Sequence, residues 1–324
     1  MTYRKQVQFA LIILLFTVPS CQTESPISPD DTPLEYDRLS DYQIYAGDPV
    51  DLQPAEGYEV YEIASELFSD HAHKQRLIKV PEGTKLRIKN DDLPDFPEGT
   101  IIAKTFFYYN DERDHSRGKK LIETRILQLR SGKWIAGSYY WNQDQTDAYL
   151  TNAGIDKTVN WIDSSGTARV LAFHIPSHLE CRSCHSFNKA ILPIGPKARN
   201  LNFAVHRGGK EINQLDFLST QGLIHPVIPE NLGSTPDYHN REVALEQRAR
   251  AYLDINCAHC HRSEGSAREI RYRFTYETEF QSTRIKEGKD AIRQMMERGF
   301  MPKTGTTVID IEGLELIKQY LKNL

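Results

Sequence analysis

Methionine is scarce in this chain: there are four in 324 residues, and after Met1 none occurs before Met295. Whatever chemistry precedes residue 295 is therefore done without a thioether, a soft and adaptable side chain. Positive charge is not in excess either. Lys and Arg number 40 against 44 Asp and Glu, a formal charge of −4, which excludes the basic stripe of a nucleic-acid binder. Long apolar runs are missing: the ten residues FALIILLFTV at 9–18 fall well short of the roughly 20 that a bilayer span needs. Cysteine is sparse, five in all, so the place of each one carries information.

What is present begins at the N-terminus. Arg4 and Lys5 lead into the apolar run, which ends at Val18-Pro19-Ser20-Cys21. A charged start, a short apolar core and a small-residue end read as an export signal over 1–20. The last four residues resemble a bacterial lipobox, which implies lipidation of Cys21 and removal of what precedes it. That removal takes away two cations and moves the formal charge from −4 to −6. The mature chain is then expected in the bacterial cell envelope, facing the periplasm or cell surface, with only its lipid in the membrane.

The other four cysteines form two pairs, CRSCH at 181–185 and CAHCH at 257–261. Both are C-x-x-C-H, the attachment pattern of c-type haem. Two thiols add across the porphyrin vinyl groups, and the adjoining histidine reaches the iron. A shared zinc site is disfavoured by the 72 residues between Cys184 and Cys257, far beyond ribbon spacing. Redox dithiols want a βαβ setting, which is lacking, and disulfides leave the two histidines unexplained. Two covalent haem c groups are expected, on Cys181, Cys184 and His185 and on Cys257, Cys260 and His261.

Along the mature chain, 21–57 carries Pro26, Pro29, Pro33, Pro49 and Pro54 among polar residues and reads as a flexible tether. Residues 58–185 read as a β-rich domain ending in the first motif. Its strands are expected at 100–109, 121–130, 133–141 and 167–175, rich in β-branched and aromatic residues with Ser-Gly turns between them. Trp134, Trp141 and Trp161 read as core residues, and His71, His73 and His115 as surface ones. Residues 186–240 read as an irregular segment wrapping the first haem, with one helix at 213–222.

Residues 241–324 read as helical. A helix over 241–256 leads into the second motif, a second covers 290–298, and a third spans 309–324 with Ile311, Leu314, Ile317, Tyr320 and Leu321 on one stripe. Helix, C-x-x-C-H, methionine loop and helix is the order of a class I cytochrome c. The fold class expected is therefore α+β: an antiparallel β-rich haem domain followed by an all-α class I cytochrome c-like domain. Met301, in GFMPKTG (299–305), is the expected second ligand of the iron held by His261, with Met295 and Met296 as competitors. No equivalent declares itself for the first iron. His174, His178, His206 and His225 are nearest in sequence, and a second histidine, another donor and an open position all remain.

RARAYLDINCAHCHR (248–262), FPEGT (96–100), ELFSD (66–70) with Lys74 and Arg76, ETR (123–125) and the stretch 201–215 resemble a bacterial family of exported di-haem c-type cytochromes. The likeness covers about 58–324 and implies haem binding and electron transfer to a redox partner. The β-rich part alone resembles cytochrome c′-beta, which implies a five-coordinate first haem. Electron carriage is the expected function; a haem peroxidase or other oxidoreductase, catalytic at the first haem, is the alternative.

Overall fold

A computed structural model of the chain describes residues 33–302 and 304–324. Residues 34–324 form one compact unit. It is an α+β structure of antiparallel sheets and helices. Six strands, β1 (Glu59–Val60), β2 (His73–Lys79), β3 (Ile101–Tyr109), β4 (Lys119–Arg130), β5 (Lys133–Trp141) and β6 (Ala148–Thr151), pair in chain order as an antiparallel sheet. Between β4 and β5 only Ser131 and Gly132 remain, at φ of +52° and +69°. Positive φ at both central residues is what a two-residue hairpin needs to match the strand twist. A separate hairpin follows, β7 (Ile155–Ile162) with β8 (Ala168–Ile175).

Adjacent strand residues enter different cores, as the two-residue period dictates. Leu77, Ala103, Ile126 and Ile135 face one core, while their neighbours Ile78, Ile102, Leu127 and Ala136 face another. Farther along the second face, Phe106 and Tyr108 join Phe173 and Ile175 of the β7–β8 hairpin. Trp134 and Trp141 are buried as expected, and the Trp141 indole donates to Thr124 at 3.0 Å.

Helix α1 (His178–His185) follows β8 and contains the first cysteine pair. Residues 186–240 hold only short elements: β9 (Ser186–Phe187), β10 (Ala190–Ile191), α2 (Ala198–Leu201), β11 (Ala204–Arg207), β12 (Lys210–Asn213) and α3 (Gln214–Thr220). The last part contains α4 (Leu245–Asn256), α5 (Phe280–Thr283), α6 (Ile285–Glu297) and α7 (Ile311–Lys322). Helix α4 starts later than the expected 241, because Asn240 accepts the Glu242 amide at 3.0 Å in a local turn that competes with the helix. Helices α4 and α7 cross closely at Gly313, where an added Cβ would lie 2.2 Å from the Tyr252 ring. Among the described residues no helix is long and apolar enough to cross a membrane.

Two expectations about organisation are corrected. The tether expected over 21–57 does not extend through 34–57. Leu34, Leu39, Tyr42, Ile44 and Leu52 are buried against the sheet, and the Tyr45 hydroxyl bonds Thr105 of β3 at 2.6 Å. Proline-rich composition concealed a few bulky anchors; a fully buried Leu or Ile is worth roughly 1.5–3 kcal/mol. The remainder of that segment, with Cys21 and the export signal, lies outside the described residues apart from Pro33. The boundaries at 185 and 240 also do not separate cores. One cluster joins Ile78, Ile102, Leu127 and Trp134 of the sheet with Tyr252, Ile292 and Ile317 of the helices.

Candidate functional site

The first motif is placed by a well-capped helix. Ser177 accepts the Glu180 amide at 3.3 Å, and the Glu180 carboxylate accepts the Ser177 amide at 2.8 Å, a capping box that satisfies two orphan donors. Cys181 is buried, with its sulfur 3.6 Å from the Ser138 hydroxyl of β5. Burial pushes its thiol pKa up. Cys184 faces outward from α1, its sulfur 3.0 Å from the Thr304 hydroxyl. His185 closes the helix and donates from Nδ1 to the Leu192 carbonyl at 2.7 Å. That bond fixes the tautomer, so Nε2 keeps its lone pair. Burial lowers the ring's pKa to about 4, and Lys104 and Arg125 add to the shift; His185 is a neutral imidazole with a free acceptor nitrogen.

The second motif leaves the end of α4. The His261 amide donates to Cys257 O at 2.9 Å, and the Phe274 amide donates to His261 O at 3.0 Å. The His261 ring lies 5.3 Å from that of Phe274, and its Nδ1 is buried without a partner among the described residues. Its pKa is lowered, chiefly by burial. Burial likewise pushes the Cys257 thiol up to about 12. Asn256, buried at the helix end, accepts the Phe68 amide at 2.8 Å.

The two motifs meet. The Cys260 and His259 side chains lie beside Cys184 and pull its thiol pKa down, while Cys260 is pushed up. Beyond them the Asn188 amide donates to Glu264 O at 3.1 Å, and Arg262 lies 4.1 Å over the Phe187 ring. All four cysteines are free thiols. Among the described residues no three His, Cys, Asp or Glu side chains are grouped as a metal cluster. A cavity of about 50 Å³ adjoins the first motif, lined by Cys181, Cys184, His185, His259, Lys104 and Arg125 among others. Ligand pockets run to several hundred Å³, so a large planar cofactor requires this shell to part.

Lys104 and Arg125 belong to a row of charge. Arg76, Lys104, Arg125 and Ser138 sit directly opposite one another on β2, β3, β4 and β5. Glu66 binds Arg76 at 2.9 Å and Lys74 at 3.5 Å. Against the upward push of burial, these two cations hold Glu66 down to about 2. Glu123, fully buried, grips Arg125 with both oxygens at 2.8 and 3.0 Å. Lys104 packs 5.2 Å over the Phe106 ring. ELFSD, ETR, Lys74 and Arg76 thus converge beside the first motif. FPEGT does something else: Glu98 accepts the Ser131 and Gly132 amides and so pins the β4–β5 turn.

Met301 lines a neighbouring cavity of about 70 Å³ with Tyr252 of α4, Met296 and Val308. Its loop continues through Pro302 and Thr304 into the wall of the first motif's cavity. Of the competitors, Met295 is exposed and Met296 lies in the apolar core. None of the four nearby histidines lines the first cavity. His174 is held by Asp156 at 2.7 Å and Glu180 at 3.1 Å, and His206 and His225 are exposed. Sequence reasoning missed Lys104, His259 and Thr304; cross-strand position and contact between distant segments carry no local signature. No protein-family model, curated protein or solved structure matches this chain.

Proposed function

We propose that the chain is a di-haem c-type cytochrome that carries electrons in the bacterial cell envelope, anchored by lipid on Cys21. Cys181 and Cys184 would hold one haem and Cys257 and Cys260 the other, with His185 and His261 as proximal ligands and Met301 as the second ligand of the His261 iron. Bound haem supplies reversible one-electron chemistry at its iron.

The observation that carries the reading is His185. It ends a C-x-x-C-H motif whose thiols are free, and its Nδ1–H is committed to Leu192 O at 2.7 Å. A ring so fixed presents Nε2 to a metal, the usual outer-shell arrangement of a ligating histidine. His261 fits less completely, since its buried Nδ1 has no partner among the described residues. The contact of Cys184 with Cys260 and His259 supports transfer between adjacent sites and onward to a redox partner. The order α4, second motif, Met301 loop, α7, with α7 crossing α4 at Gly313, supports a class I cytochrome c-like module.

The test is haem stoichiometry. Expressed with a c-type maturation system, the protein should carry two covalent haems per chain by pyridine haemochrome. Cys181→Ala/Cys184→Ala and Cys257→Ala/Cys260→Ala should each retain one. A chain purified without covalent haem would sink the reading. The enzymatic alternative draws on one observation, the cavity beside the first motif lined by Lys104, Arg125 and Glu180, which none of the candidate histidines enters.

A further inference from the structure

Eleven histidines occur in the chain. Among the described residues two of them line the cavity of the first motif, His185 and His259. His185 is the proximal ligand in the proposed haem reading. His259 belongs to the other motif, between Cys257 and Cys260, yet its side chain lies beside Cys184 of the first. Its Nδ1 is buried and has no hydrogen-bond partner among the described residues, a state that buried polar groups rarely keep without a reason. Haem attachment at the second motif makes no use of this ring, since that chemistry needs Cys257, Cys260 and His261.

The backbone holds His259 in place. The Ala258 amide donates to Leu253 O at 3.0 Å, and the Cys260 amide donates to Cys257 O at 3.2 Å. Gly265 packs so closely behind that an added Cβ would lie 2.3 Å from Cys260 O and 3.0 Å from His259 O. Other polar groups in the cavity wall are committed elsewhere. Glu180 accepts the Ser177 amide at 2.8 Å and bonds His174 at 3.1 Å. Lys104 packs its amine over the Phe106 ring at 5.2 Å. Arg125 is gripped by Glu123, and a guanidinium has no lone pair to offer a metal. Imidazole is the commonest metal ligand.

We propose that His259 is the second axial ligand of the iron held by His185, so that the second motif completes the first haem site. The inference rests on the haem reading and fills the coordination position which that reading leaves open. The cavity's shell must part to admit the haem, and no further ligand has to fit beside it. A first iron closed on both sides favours electron carriage over ligand chemistry. It also places a ligand of one iron next in sequence to Cys260, the attachment point of the other haem, which gives a short covalent path between the two.

The two-haem protein is read by electron paramagnetic resonance when oxidised and by carbon monoxide binding when reduced. The parent should be low-spin at both irons and bind no carbon monoxide. His259→Ala should turn one of the two haems high-spin and open it to carbon monoxide, and added imidazole should restore the low-spin signal. His259→Met should keep that haem low-spin and raise its reduction potential, because thioether ligation favours the reduced iron. A high-spin haem in the parent overturns the proposal. So does His259→Ala with both haems still low-spin, which would give the position to another donor such as Lys104. Where His259→Ala fails to mature, His259→Met decides, and a potential equal to the parent's overturns the proposal. A preparation without covalent haem overturns the underlying reading, an outcome the haem count separates from the others.

Discussion

Asp70 holds Thr307 by three hydrogen bonds: the Thr307 amide lies 2.9 Å from each carboxylate oxygen, and the Thr307 hydroxyl donates at 2.9 Å. The Val308 amide adds a contact at 3.2 Å. Asp70 is buried, at positive φ, just before β2, whereas Thr307 lies in the loop that carries Met301. Asp70→Asn keeps the shape but replaces one acceptor oxygen with a donor. It should cost roughly 1–3 kcal/mol in denaturant unfolding and shift the reduction potential of the haem proposed for His261. A potential unchanged from the parent would confine Asp70 to a structural role.

With two haems held as proposed, Met301→Ala should lower the potential of the second and leave the first largely where it was, because thioether ligation favours the reduced iron. Spectroelectrochemical titration resolves the two. If the second potential does not move, Met301 is not a ligand.

Gly313→Ala tests the crossing of α4 and α7. The new methyl group would meet a buried, fixed ring at 2.2 Å. Overpacking of this kind costs about 1–3 kcal/mol, read as a lower urea midpoint at an unchanged slope. A neutral outcome would mean that Tyr252 can turn aside.

His174 makes a pH-dependent contribution. Burial lowers its pKa, but hydrogen bonds to Asp156 and Glu180 outweigh that and raise it. A histidine raised on folding stabilises fully below its unfolded value of about 6.5 and loses the contribution as pH rises through the folded value. His174→Ala should therefore be less stable than the parent at pH ~5.5 and nearly equal at pH ~8.5. A stability difference that does not vary with pH would remove protonation from the account.

Local structure was legible where periodicity and turn chemistry act within a few residues. β3, β4, β5 and β8 fall within a residue or two of expectation, α3 lies inside its expected 213–222, and α4 and α7 follow their apolar stripes. β2, bearing Lys74 and Arg76, was not expected as a strand, because its charged residues break the apolar signature and their burial depends on Glu66 from outside the strand. The anchors in 34–57 were hidden for a related reason: five apolar side chains scattered among prolines have no period, and only the sheet they cover gives them a use. The thiols and histidines could be named from spacing alone. That Cys184 faces Cys260 and His259, across more than seventy residues of chain, is a tertiary fact with no local trace.

The packing of 34–57 against the sheet also shortens the leash. With lipid on Cys21 as proposed, Leu34 follows it by 13 peptide steps, which span at most roughly 45 Å. A tether running to residue 57 would have reached roughly 130 Å. On that proposal the body would stay near the bilayer surface, and a soluble electron carrier would come to it there rather than meet it midway across the envelope.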